Sequence, residues 1–355
     1  SASSSSSAFN NNTLSTLYRA GFDAHWELDL FGRTRNQVTA AQAHHTAAIE
    51  DLHDTQVTLL AEIASEYITL RNSQRQSALA QDNIDAQKNI LALTQERYRR
   101  GLVAYLDVAE ASTELSAAQA TLPLYHAQEK QALRAIIVLL GYAPEQLPIT
   151  LRTANTVPAI EATSSVGLPS DLLTRRPDLR AEQQRLAAAA ADINIAKIDR
   201  YPSLDLTFGL GLQSREHSNF LDIDNRYWSL APGLQLPAFD AGRIRANIDN
   251  KQAVYEEARY RYQQIFHTAL QDVENALSGF YAEDTRRHHL QQAVTTADLA
   301  LELAQRRYTT GIDNFLNVIV AQRALYTAQS NLADTEAQRS LQAIALYKAL
   351  GGGWQ

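Results

Sequence analysis

"RYRRGLVAYLDV" (Arg97–Val108) and "RYTTGIDNFLNV" (Arg307–Val318) are one phrase written twice, at an offset of 210 (307 − 97). Each copy places a glycine three residues after the tyrosine and then begins a new apolar helix. Glycine at that point is how an incoming helix ends, because it takes the left-handed conformation without a steric penalty. Both phrases therefore read as tips of helical hairpins, with incoming helices stopping at Gly101 and Gly311.

Working outward, Arg97–Gly141 lies over Arg307–Gly351 without a gap, and 15 of the 45 aligned positions are identical. About three would be expected from ordinary residue frequencies. The register reaches back to Gly32-Arg33-x-Arg35 against Gly242-Arg243-x-Arg245, and "ELDLF" (Glu27–Phe31) meets "QLPAF" (Gln235–Phe239) at offset 208, making Asp240-Ala241 a two-residue insertion. The chain is a duplication. The second copy opens with Asp171–Gln213, which would map before residue 1. That mismatch predicts a longer protein in which a helix and a strand, about 40 residues, precede the first copy. The opening "SASSSSSAFNNN" and the absence of any Met agree with a start inside a loop.

From Arg33 to Arg100 there is neither Gly nor Pro, and from Arg243 to Thr310 the only breaker is Gly279. At about 1.5 Å per residue, each segment could run roughly 100 Å as one helix. Ile63, Leu70, Ser77, Ile84, Leu91 and Tyr98 recur every seven residues. Phe266, Leu270, Val273, Leu277 and Phe280 step by four and three, as do Leu290, Val294, Ala297, Leu301, Ala304 and Tyr308. Such spacing keeps one seam against a partner helix. The return segments "ASTELSAAQATL" and "AQRALYTAQSNL" are rich in small residues, which permits close antiparallel packing.

Between the helices the period changes to two. In "LDLTFGLGLQ" (Leu204–Gln213), Leu204, Leu206, Phe208, Leu210 and Leu212 alternate with Asp205, Thr207, Gly209, Gly211 and Gln213. "YWSLAPGLQL" alternates likewise, and Tyr18, Phe22, Trp26, Leu28 and Leu30 alternate with Arg19, Asp23, His25, Glu27 and Asp29. A half-buried strand of a soluble sandwich has this pattern too. Charge on the polar faces, and the lack of other material for a sandwich, favour strands crossing an outer membrane around a wet lumen. Three such strands, or four with the missing one, cannot close a barrel of even about eight strands. Open edges in lipid leave amides unpaired, so several copies must share one barrel.

Chemistry is sparse. There is no Cys, hence no disulfide framework or thiolate metal site. His44-His45 and His288-His289 are helix neighbours pointing about 100° apart, a poor metal geometry. Gly209-x-Gly211 lies inside a strand with no helix after it, so it is no dinucleotide loop. Glu62 and Glu66 read as a solvated face. No phosphate loop, Gly-x-Ser-x-Gly or His-Glu-x-x-His occurs. The formal charge of −7 without a basic cluster argues against nucleic acid. No enzyme, cofactor or metal is indicated.

The run "LLTRRPDLRAEQQRL" (Leu172–Leu186), the strand exits "WELDLFGRTR" and "LPAFDAGRIR", the doubled Arg-Tyr-x-x-Gly tips and the ending "LYKALGGGW" (Leu346–Trp354) together resemble the TolC-like outer-membrane factors. The lipid-anchored, drug-efflux branch is the nearest in character, and the resemblance covers essentially the whole chain. It implies a mainly α fold with β: long antiparallel helical hairpins forming a trimeric α-barrel, continuous with a shared 12-stranded transmembrane β-barrel, four strands per protomer. The first repeat then occupies 1–141, with a strand at about 17–30, a long helix at 33–100 and a return helix at 104–140. An equatorial linker follows at 142–170. The second repeat occupies 171–351, with a helix at 171–199, strands at 203–213 and 226–237, a long helix at 242–310 and a return helix at 314–350, before the end at 352–355.

By the same resemblance the tips lie in the periplasm and form an iris-like gate. Leu316, Asn317, Val320 and Arg323 would line its constriction. Tyr308, Asp107 and Asp313 would make its polar contacts, and Arg97, Gly101, Arg307 and Gly311 would dock an adaptor. The family often has Asp where this chain has Val320, so an apolar collar is expected in place of an acidic ring. The implied partners are two further copies, a periplasmic adaptor, an inner-membrane proton-driven pump of RND or MFS type, and outer-membrane lipid, with an acylated Cys in the segment before residue 1. The implied function is a passive exit duct for drugs and small toxic compounds. Alternatives are a duct for type I protein secretion or heavy-metal efflux, and a non-pore periplasmic coiled-coil adaptor.

Overall fold

The computed structural model describes residues 16–143, 151, 153, 156–160 and 175–352. In chain order its elements are strand β1 (Tyr18–Glu27), helices α1 (Arg33–Arg99), α2 (Tyr105–Leu140) and α3 (Pro177–Ile198), strands β2 (Ser203–Ser214) and β3 (Arg226–Gln235), and helices α4 (Arg243–Thr309) and α5 (Phe315–Ala349). Two compact units result: Ser1–His45 with Gln184–Tyr260, and Thr46–Gln183 with Arg261–Gln355. They cut across the sequence duplication, because α1 and α4, each of 67 residues, contribute to both.

The first unit contains an antiparallel sheet of order β1-β2-β3. Phe22 faces Leu210 and Trp26 faces Leu206, while Leu210 faces Trp228 across the next ladder. Those residues share one face, and it is uncovered: Phe22 is 86% exposed and Trp228 71%. Arg19, Asp23, His25, Thr207 and Tyr227 share the opposite face by the strand period. There His25 Nε2 lies 3.5 Å from Asp205 Oδ1. Beside the sheet, α1 and α3 meet through Ala40, Ala43, Ala188 and Ala191, and α3 meets α4 through Ala196, Ile244 and Ile248. Alanine seams let backbones approach closely, and Lys251 Nζ adds a 2.8 Å pair with Asp192.

The strand expected at 17–30 stops at Glu27 for a local reason. The Asp29 carboxylate accepts the amides of Thr34 and Arg35, both at 3.1 Å, and so caps α1. A residue cannot hold ladder geometry and fold back to cap the next helix, so the chain leaves the sheet before Asp29. The strand expected at 226–237 ends likewise at Gln235, and Asp240 then accepts Ile244 N at 2.7 Å and Gly242 N at 3.1 Å. The two-residue insertion therefore supplies the cap of α4. Donated hydrogen bonds, from Ile244 first and then Gly242, hold the Asp240 carboxyl below its ordinary range. The helix expected at 171–199 is described from Pro177 to Ile198; residues 171–174 lie outside the described residues.

In the second unit the helices pack through several clusters. Leu179, Ala269, Val273, Ala276 and Leu346 bring α3, α4 and α5 together, and Leu70, Ala132 and Ile136 join α1 to α2. The described part of the 142–170 linker is clasped by α1 and α5. Arg71 Nη1 donates to Thr153 O at 2.6 Å, Gln74 Nε2 to Leu151 O at 3.1 Å, Arg339 Nη1 to Ile160 O at 3.2 Å and Ser340 Oγ to Pro158 O at 2.9 Å. These contacts explain why Arg71 and Gln74 are buried in the middle of an apolar seam: irregular backbone needs polar partners wherever it is covered. Buried Ser73 bonds Thr69 O of its own helix, and buried Gln76 bonds Ser330 and Asp334 of α5.

Candidate functional site: the hairpin tips

Each incoming helix ends through the same pair of bonds. At Gly101 (φ 71°), the amide of Gly101 reaches Tyr98 O at 2.8 Å and that of Leu102 reaches Arg97 O at 2.9 Å. At Gly311 (φ 78°), Gly311 N reaches Tyr308 O and Ile312 N reaches Arg307 O, both at 3.0 Å. This is the six-to-one and five-to-two closure that consumes orphan carbonyls and reverses the chain.

The tips then diverge. In the second copy Asn314 caps α5, its side chain accepting Asn317 N at 3.3 Å. Asp313 accepts from Asn314 N at 2.9 Å, Asn317 Nδ2 at 2.6 Å and Arg307 Nε at 3.2 Å. These bonds, the Asn314 amide first, hold the Asp313 carboxyl below its ordinary range. In the first copy the corresponding positions are Val103 and Ala104, and α2 begins without a side-chain cap. Asp107 sits in the first turn of α2, where a negative charge suits the helix N-terminus.

Tyr308 is buried, 4% exposed, in a cluster with Leu301, Phe315, Val318 and Ile319. Its ring centroid lies 5.4 Å from that of Phe315. Its hydroxyl is buried and makes no hydrogen bond, so within the chain it does not reach Asp107. Arg97 instead crosses to it from α1: the guanidinium carbon stands 4.5 Å above the Tyr308 ring, and Nη1 donates to Tyr308 O at 3.1 Å and to Thr309 O at 3.4 Å. A cation on the last carbonyls of α4 is favourably placed against that helix's dipole. Arg97 thus points inward at the second hairpin, whereas Arg307 is tied to the Asp313 of its own tip.

Leu316 and Val320 are 52% and 57% exposed on the same side of α5, four residues apart. Arg323, three residues further on, reaches Glu114 of α2: Nε to Oε2 is 2.8 Å, and Nη2 contacts Oε1. Of the residues singled out above, the structure therefore gathers Arg97 with Tyr308, and Arg307, Asp313 and Asn317 with one another. Asp107 stands apart. Glu114, Asn314 and Phe315 were not foreseen. The Asn-x-x-Asn start of α5 was a readable cap signal; Glu114, on another hairpin, had none.

Among the described residues no group of three or more His, Cys, Asp or Glu could hold a metal ion, and no helix is long and apolar enough to cross a membrane.

A family model described as "Outer membrane efflux protein" matches residues 1–142 and 168–352. The outer membrane protein OprJ of Pseudomonas aeruginosa is 33% identical over 354 residues, covering 98% of this chain and 73% of OprJ. The toluene efflux pump outer membrane protein TtgF of Pseudomonas putida is 33% identical over 343 residues, covering 96% and 70%. The solved outer-membrane channel OprN superposes with a TM-score of 0.92 at 35% identity, covering 96% of this chain and 76% of OprN. The doubled tips, the uncovered apolar sheet face and these likenesses agree: this chain belongs to the outer membrane efflux protein family.

Proposed function

We propose that the chain is one subunit of a homotrimeric outer-membrane channel, the passive exit duct of a tripartite efflux system for drugs and small toxic compounds. The observation that carries this reading is the sheet. Its apolar face is bare, its polar face is charged, and among the described residues β1 and β3 each have a neighbour on one side only. In lipid such edges must be paired, and identical copies are the partners that complete a cylinder. The helical hairpins continue that cylinder into the periplasm, where their tips gate it: gathered, they close the tube; splayed, they open it. A periplasmic adaptor docks at the tips around Gly101, Arg307 and Gly311 and links the duct to a proton-driven inner-membrane pump of RND or MFS type. An acylated cysteine ahead of residue 1 would add a lipid anchor.

Planar-bilayer recording on the full-length protein tests this. Discrete conductance from heat-modifiable trimers is expected. A detergent-extracted protein that stays monomeric and passes no ions would overturn it. Secretion or metal efflux would keep the conductance and change the partner; a non-pore adaptor would extract without detergent.

A further inference from the structure

Both long helices start on the same motif, Gly32-Arg33-x-Arg35 and Gly242-Arg243-x-Arg245, and the duct reading gives it no task. Neither helix has an acidic residue in its first turn. Cations there run against the helix dipole, so the same unfavourable charge pattern stands in both copies.

Residues two apart on a helix are turned by about 200°, so each motif sends its arginines to opposite sides. Arg33 and Arg243 line one cavity of about 490 Å³ together with Glu27, Asp205 and Gln235. Those three residues lie on the polar face of the sheet by the strand period. Arg35 and Arg245 therefore stand on the far side of their helices, the side toward which the bare apolar face looks. Both are exposed. A Cβ on Gly32 would stand 3.7 Å from Arg35 Nη2, so that guanidinium lies back over the turn by which the chain leaves the sheet. Its contact with Asp29 is 3.5 Å long, and the Asp29 carboxylate already accepts two cap amides. Arg245 makes no ion pair among the described residues.

The surface leading to these arginines is layered in the same order in both copies. The apolar ribbon ends at exposed Trp26 and Leu234. Phe31 and Phe239 follow, equivalent in the duplication and both exposed, Phe239 by 90%. Phe31 stacks on exposed Tyr201 with ring centroids 4.8 Å apart. Arg35 and Arg245 come next. Apolar, aromatic and cationic is the order met on leaving acyl chains for the headgroups. We propose that Arg35 and Arg245 form a collar that binds the phosphates of anionic phospholipids in the periplasmic leaflet, six arginines to a trimer. The collar rests on the reading that the bare face lies in lipid, and adds to it a headgroup preference and a fixed depth. A guanidinium fork fits a phosphate, and net charge separates the headgroups, because a zwitterionic one carries its own cation.

Full-length trimers in phosphatidylcholine vesicles provide the test, each variant first verified as heat-modifiable. Spin-labelled phosphatidylglycerol and spin-labelled phosphatidylcholine are the probes, and their motionally restricted fractions give the relative association. Phosphatidylglycerol should be preferred about two- to fivefold at low salt, the factor one cation carries at an anionic surface. The preference should fade in molar salt. Arg35→Gln with Arg245→Gln should bring the ratio to about one, whereas Arg35→Lys with Arg245→Lys should keep most of the preference. Arg243→Gln, on the opposite side, should leave it unchanged. Survival of the preference in the double glutamine variant would overturn the proposal, and so would an equal fall in Arg243→Gln. Wild-type trimers that restrict both lipids equally would defeat the collar and keep the membrane reading. Trimers that restrict neither lipid would defeat both.

Discussion

Tyr227 and Arg19 sit on strands that are not neighbours, yet the Tyr227 hydroxyl accepts a 2.6 Å hydrogen bond from Arg19 Nε. The phenol reaches β1 by lying across β2, with the guanidinium carbon 4.4 Å from its ring centroid. The crossing exists because the backbone beneath is bare. A Cβ on Gly211 would stand 2.9 Å from Tyr227 Cε1 and 2.3 Å from Ala20 O; one on Gly21 would stand 2.9 Å from the Tyr227 hydroxyl. The Arg19–Tyr227 bond thus spans three strands on the polar face without using a side chain of the middle one.

Gly211→Val should therefore open the β1–β2 ladder, not merely crowd a ring, because Ala20 O is backbone and cannot step aside. A loss of about 2–4 kcal/mol per subunit is expected. The temperature at which the trimer dissociates on a gel should fall well below that of Tyr227→Phe, which removes only one hydrogen bond.

At the tips, the orphan hydroxyl of Tyr308 changes the outlook for a polar contact with Asp107. Tyr308→Phe should be neutral, or stabilising by about 1 kcal/mol, since a buried unsatisfied hydroxyl is costly. Conductance should not change. Arg97→Ala, by contrast, uncovers the aromatic ring and frees two helix-terminal carbonyls, and should raise channel noise. Paired bilayer recordings of the two variants check this, and a leaky Tyr308→Phe would restore the hydroxyl to the gate.

Asp240 should act as a cap whose effect depends on pH. Its folded-state pKa is depressed by the amides of Ile244 and Gly242, so its stabilising effect is fully present above the unfolded carboxylate value of about 3.9. That effect fades as pH falls below the unfolded value and is gone once pH has passed through the lower folded value. Asp240→Ala should lower the thermal midpoint of the trimer by roughly 1–3 °C at neutral pH. The difference from wild type should vanish in strong acid.

With Val320 at the constriction, as the family resemblance implies, Val320→Asp should place a ring of carboxylates there, three in a trimer. Cation preference, read as the reversal potential across a salt gradient, should increase at low ionic strength and largely disappear at molar salt, where the screening length is about 3 Å.

The long helices were legible because α1 lacks every breaker, and the strands because Leu204–Leu212 alternate without a fault. The doubled tip was legible as a repeat. Strand ends were not: Asp29 looked like one more polar strand residue until its carboxylate was seen capping α1. The cross-hairpin pairs were not legible either. Arg97 with Tyr308 and Arg323 with Glu114 are separated by 211 and 209 residues, and periodicity along one helix says nothing about which neighbour it meets.

The bare ribbon of Phe22, Trp26, Leu210 and Trp228 has a consequence for biogenesis. Before a subunit meets its copies, that ribbon is a sticky surface in an aqueous compartment, flanked among the described residues by strand edges that carry no neighbour and invite mispairing. The rods can zip up alone from local contacts, whereas the ribbon must wait for company and for acyl chains. Insertion should accordingly be bimolecular or higher in rate-limiting order, and overproduction without matching membrane capacity should yield clumped, helix-rich material in place of empty pores.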